Sequence, residues 1–114
     1  MCSILCVDKK IENIGEVNHY LKFRGPDDTK VFYDNNFTFL HNLLSITGNF
    51  TPQPLVKDGI IFLFNGEIYN YKNFGDYSSD GECVIDLYKQ YGVNFVIKLD
   101  GEFALLLLDF TQDT

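Results

Sequence analysis

Apolar positions along the 114-residue chain come in short runs whose period changes from one stretch to the next. Residues 2–7 (CSILCV) form a compact apolar run, as expected of a buried strand. Ile11, Ile14, Val17, Tyr20 and Leu21 recur near helical spacing and predict a helix over 11–22, with Gly15 as its weak point. "RGPDD" at 24–28 ends it, because Pro26 disfavours helical backbone at Gly25. From 30 to 71 the pattern turns strand-like: "KVFYD", "FTFLHNLLSI", "GIIFLFN" and "EIYNY" are rich in aromatic and β-branched residues. "GNFTPQP" at 48–54 has the composition of a loop.

"SSDGECVIDLYKQYG" predicts a second helix. Ser79 and Glu82 stand at capping-box spacing, Val84, Leu87, Tyr88 and Tyr91 form an apolar stripe, and Gly92 marks the stop. "EFALLLLDF" at 102–110 is a continuous apolar run, the pattern of a strand covered on both faces. Strand, helix, several strands, helix, strand predicts a mixed α+β layered domain. With no repeat or linker in the chain, residues 1–114 are read as one domain.

Composition narrows the function classes. Hydrophobic residues at 46% and aromatics at 16% support a packed interior. A net charge of -7, with eight lysines and one arginine scattered along the chain, argues against nucleic acid and anionic membranes. No apolar run approaches the roughly 18–20 residues that span a bilayer, and the start does not read as a secretory signal. Cys2, Cys6 and Cys83 are an odd number, which fits reduced thiols in the cytoplasm. Cys2 and Cys6 with the isolated His19 and His41 lack the paired spacing of a zinc site, so no metal is expected.

Four stretches hold candidate chemistry, and each has a purely structural reading beside it. Asn65-Gly66 in "LFNGEIYNY" is a strong local signal for a two-residue hairpin turn. The same pair offers a side-chain amide and a glycine N–H that together suit an oxyanion. Ser79 and Glu82 are accounted for by a helix cap, whereas Asp80 has a carboxylate suited to a cationic amine. Arg24, the only arginine, sits either in a turn built around Pro26 or as a guanidinium ordering nearby backbone. Cys2 is a small buried hydrophobe if Met1 stays. If Met1 is removed, it carries a thiol and an α-amine whose ordinary pKa is about 7.7–8, a nucleophile and base on one residue.

Taken in order, "MCSI" at 1–4, "RGPD" at 24–27, "LSI" at 44–46, "NGEIYN" at 65–70, "SDGE" at 79–82 and "LDGEFALLLLD" at 99–109 resemble the glutaminase domain of asparagine synthetases. That domain is a class II glutamine amidotransferase of the N-terminal-nucleophile hydrolases. The resemblance implies an αββα sandwich that hydrolyses L-glutamine to glutamate and ammonia without a cofactor. Carried over by position, it implies Cys2 as nucleophile and Asn65 and Gly66 as the oxyanion hole. Asp80 would hold the substrate ammonium, and Glu67 and the backbone of Leu44, Ser45 and Ile46 would line the pocket. Arg24 would support the site structurally.

The chain also departs from the pattern. Leu43 stands where an arginine is expected to grip the substrate carboxylate; a charge-assisted bond of about 1.5–3 kcal/mol corresponds to about 10- to 150-fold in affinity. Lys57 is a candidate replacement. Cys6 and Phe23 replace an expected glycine and histidine, and the stretch between Asn70 and Asp80 is short. The second half of the sandwich is expected to be missing, leaving the 102–110 strand poorly covered with an open edge. The synthetase domain has no counterpart, so ammonia would pass to a separate synthetase chain. The alternative reading is a catalytically degenerate or truncated module of the same fold with an interaction or regulatory role.

Overall fold

The computed structural model describes residues 2–44 and 53–112. Among the described residues, six strands form two three-stranded antiparallel sheets, accompanied by two α-helices. In the first sheet β1 (Ser3–Val7) and β2 (Asp28–Asp34) flank β3 (Phe37–Leu43). The register runs from Ser3 opposite Asn42 to Val7 opposite Thr38, and from Asp28 opposite Leu43 to Asp34 opposite Phe37. In the second, β4 (Leu55–Lys57) and β6 (Gly101–Asp109) flank β5 (Ile60–Ile68). Every residue of β5 pairs with β6, from Ile60 opposite Asp109 to Ile68 opposite Gly101.

Side-chain alternation along β3 and β5 sets the layers. Phe39 faces Ile61 and Leu63 across the two sheets, with Ile4, Cys6, Leu106 and Leu108 packed around them. Ile60, Phe62 and Phe64 point from the opposite face of β5 into a second cluster, against Val84, Ile85 and Leu87 of α2 (Cys83–Tyr91) and against Phe95. The outer face of the first sheet carries Thr38 and Asn42. There Asn42 Nδ2 donates to Asn18 Oδ1 of α1 (Ile14–Leu21) at 2.6 Å, and Ile11 N donates to Thr38 Oγ1 at 3.1 Å. The chain therefore stacks α1, first sheet, second sheet and α2.

Several expectations shift. The first helix covers Ile14–Leu21 rather than 11–22, and one residue of its expected apolar stripe, Tyr20, is 82% exposed. Ile11 is drawn off to cap Thr38 instead. "EIYNY" is not a separate strand: Glu67 and Ile68 complete β5, and Tyr71–Asn73 form a 3-10 turn. Gly92 ends α2 as expected, at φ 63°, but the start differs. Ser79 makes no side-chain cap bond; Ser78 donates to the Glu82 carboxylate from its N–H (3.0 Å) and its hydroxyl (2.7 Å). Asp80–Glu82 is a 3-10 turn leading into α2. β6 sends side chains into both clusters, yet it is only half-buried over 105–110, because among the described residues it pairs on one edge alone.

No helix among the described residues is long and apolar enough to cross a membrane.

Candidate active site

Asn65 and Gly66 do not turn the chain. Both lie inside β5, opposite Ala104 and Phe103. The two-residue turns form elsewhere, at Asn35-Asn36 (φ 50° and 68°) between β2 and β3, and at Asp58-Gly59 (φ 53° and 78°) between β4 and β5. Positive φ at both central residues is what tight hairpins require. Nine consecutive pairs with β6 keep the chain in β5 through Asn65-Gly66 instead. Gly66 sits at φ 144°, and a Cβ there would collide with the Glu102 carbonyl and Phe103 Cα. Only glycine fits this bend.

Hydrogen bonding along β5 alternates between its two edges. Tyr69 N donates to Asp100 O at 2.6 Å, so odd positions face β6 and even positions face the β4 side. β4 covers only Ile60 and Phe62 on that side, since it begins at Leu55 opposite Phe62. Beyond it, side chains take over. Phe64 N donates to Gln53 Oε1 at 2.7 Å, and His41 Nε2 lies 3.3 Å from Phe64 O. Ile68 N donates to Asp80 Oδ2 at 2.9 Å. Gly66 N–H belongs to the same even series, between two peptides held by side chains.

Asn65 shares the inward parity of Ile61 and Leu63 and so projects toward the first sheet. Its Oδ1 is buried and has no hydrogen-bond partner among the described residues. Such a group costs stability, and its persistence calls for a reason beyond packing. Cys2 lies immediately before β1, with the parity of Ile4 and Cys6, which face the second sheet. Its thiol sits on the Leu44 peptide: Leu44 N donates to Sγ at 3.2 Å, and Sγ lies 3.6 Å from Leu44 O. Arg24 Nε donates to Cys2 O at 3.2 Å, tying "RGPD" to the N-terminal strand. Asp27 N donates to Leu43 O at 2.8 Å, extending that tie to the end of β3.

Asp80 is buried at 5% exposure, beside the end of β5. Burial raises its pKa above the usual carboxylate range; N–H donors from Ile68, its own backbone and Gly81 pull it down, and Glu67 pushes it up. Glu67 is half-buried on β5 next to this carboxylate. Leu43 is buried at the end of β3, with the inward parity of Phe39 and His41. Lys57 does not reach toward it. Its ammonium bonds Asp86 of α2 at 2.6 Å, on the other side of the second sheet, and Tyr77 donates to the same carboxylate at 2.9 Å. Lys57 is thus no substitute for an arginine at position 43.

The structure brings Cys2, Leu44 and Arg24 together at one end of the first sheet, and Asn65, Gly66, Glu67 and Asp80 together on the facing strand and its neighbour. Ser45, Ile46 and Met1 lie outside the described residues. Two residues of this region are absent from the sequence reading as site candidates: His41, buried at 1% exposure, and Gln53, at 4%. Burial lowers His41 to about 4, against upward pulls from the Phe64 carbonyl and Asp28. Its ring is neutral near pH 7, so Nε2–H is the donor to Phe64 O. The alternation Phe39, His41, Leu43 is a signal for its inward aim; nothing local marks Gln53.

The family model of the glutamine amidotransferase domain matches residues 1–114. An asparagine synthetase (glutamine-hydrolyzing) of Triphysaria versicolor is 33% identical, over 100% of this chain and 22% of its own length. The asparagine synthetase (glutamine-hydrolyzing) of Brassica oleracea is 36% identical over 99% of this chain, and synthetase 1 of Arabidopsis thaliana 33% over 99%. The chain spans about a fifth of these relatives' length, 22% in each case. It belongs to the glutamine amidotransferase domain family.

Proposed function

We propose that the chain is a glutaminase unit that hydrolyses L-glutamine through Cys2, once Met1 has been removed. The freed α-amine takes the thiol proton, and sulfur attacks the side-chain amide carbon of glutamine. The carbonyl oxygen becomes an oxyanion held by the Asn65 amide and Gly66 N–H. The C–N bond breaks, the amine-borne proton goes to the leaving nitrogen, and ammonia departs from a glutamyl thioester. Water then adds to the acyl carbon; glutamate leaves and the thiol is restored. Asp80 receives the substrate ammonium, and Glu67 and the backbone of Leu44 line the pocket.

The observation that carries this reading is that the Leu44-held Cys2 thiol and the buried, unpartnered Asn65 Oδ1 both belong to the facing sides of two packed sheets. The layer order helix, sheet, sheet, helix agrees with an N-terminal-nucleophile sandwich, here in its N-terminal portion. Three free thiols suit a reducing cytoplasm. The ammonia feeds an asparagine-synthetase-type reaction, on a separate chain or on the same chain, as the names and lengths of the relatives suggest.

The test is ammonia release from glutamine, with Met1 removal followed by mass spectrometry and Cys2→Ala as control. Cys2-dependent release supports the glutaminase. A processed chain that neither releases ammonia nor reacts at Cys2 with a glutamine-like electrophile supports the degenerate module, the reading that Leu43 favours.

A further inference from the structure

We propose that His41 and Gln53 are positioning residues that clamp the Phe64 backbone at its C=O and its N–H, and so fix where the Asn65 amide and the Gly66 N–H point. This rests on the glutaminase reading of Asn65 and Gly66. In a continuous sheet, the N–H and C=O of Phe64 would be satisfied by the neighbouring strand. β4 stops short, with Leu55 opposite Phe62. The two groups bond to side chains from outside the second sheet instead: Gln53 accepts from the N–H at 2.7 Å, and His41 Nε2–H donates to the C=O at 3.3 Å. Both side chains are buried, so neither bond has water as an easy replacement.

The Phe64 ring is fixed as well. It lies on Gly81, where an added Cβ would come within 2.6 Å of Cε1. Gly81 follows Asp80, whose carboxylate holds Ile68 N. The two peptides flanking Asn65-Gly66-Glu67 on the β4 side are thus held by His41, Gln53 and Asp80. The clamp also joins the sheets, since His41 belongs to β3 and Phe64 to β5. It couples the strand next to the thiol with the strand bearing the oxyanion donors. An oxyanion hole depends on donors fixed before charge develops, so a loosened Phe64 peptide weakens the transition state more than the ground state.

The experiment compares the parent chain with His41→Leu, His41→Gln and Gln53→Leu. Expected for His41→Leu is a 10- to 100-fold fall in kcat for glutamine, with KM changed less than threefold. Affinity for a glutamine-derived aldehyde, which binds as an oxyanion adduct, falls in parallel. Alkylation of Cys2 by iodoacetamide, which forms no oxyanion, keeps its rate. His41→Gln keeps an N–H donor of similar reach and recovers most of the kcat. Amide hydrogen exchange at Asn65 and Gly66 speeds up at least tenfold in His41→Leu, while that of Leu40 does not. If His41→Leu does not fold, Gln53→Leu is read on the same measurements.

Unchanged kcat and unchanged exchange at Asn65-Gly66 overturn the clamp alone. A parent chain without Cys2-dependent hydrolysis overturns the glutaminase reading and this proposal with it.

Discussion

The two sheets carry the two halves of the candidate site, and the helices that cover their outer faces are seated to very different degrees. β5 is apolar on both faces: Ile61 and Leu63 meet the first sheet, while Ile60, Phe62 and Phe64 meet α2, all at 6% exposure or less. The first sheet is covered on its outer side by α1, which has no fully buried residue. The proposed oxyanion donors therefore stand on the sheet backed by the better-seated helix, and the proposed nucleophile stands just before the first strand of the sheet backed by the looser one. That division suits a reaction in which the nucleophile moves and the oxyanion donors do not. Phe62→Ala breaks it most directly. It should cost about 3–5 kcal/mol, whereas Val17→Ala in the half-buried α1 should cost about 1 kcal/mol or less. Chemical denaturation of both variants checks this; equal costs would mean that α1 is as firmly seated as α2.

His41 bridges the two layers, and acid is the condition that strains that bridge. Its folded pKa is lowered to about 4 from an ordinary 6.5, so the unfolded chain binds the extra proton first. Stability from this group is complete above about pH 6.5 and falls as pH drops toward 4, by up to ~1.4 kcal/mol per unit. Denaturation midpoints measured through that window should decline in the parent chain. In His41→Gln, which cannot titrate, the decline should be shallower. Equal slopes would show that His41 is not held neutral between the sheets.

The pattern of apolar residues carried most of the strands, because period and β-branched content act locally. It misread turns where pairing partners decide. Asn65-Gly66 has the right residues for a hairpin, yet nine pairs with β6 override them. Asp58-Gly59 does turn, but the strand before it is three residues long and follows a proline-containing loop, so no alternation precedes it. The second helix was legible from its stripe, while the Glu82 carboxylate took Ser78 rather than Ser79 as its partner. Cys2, Asn65, Gly66 and Asp80 stood out only as an ordered set. His41 and Gln53 did not, since their roles depend on where β4 ends relative to β5, a long-range fact that no short motif encodes.

Asp80 gives the finest test of the comparison, because structure and substrate compete for one carboxylate. As a structural group it accepts Ile68 N and nearby backbone N–H groups, and an asparagine oxygen accepts them nearly as well. As a substrate ligand its charge is the point. Its raised folded pKa means that the folded chain binds the proton more tightly, so stability from this group is greatest at low pH and declines as pH rises through the carboxylate range. Asp80→Asn should remove that decline and leave the melting temperature at neutral pH equal or higher. KM for glutamine should rise about 10- to 150-fold, the loss of a bond of about 1.5–3 kcal/mol to the substrate ammonium. A variant that melts lower with KM unchanged would make Asp80 a strand and helix cap alone. The ammonium would then have to be sought beside Glu67, on the same well-held sheet.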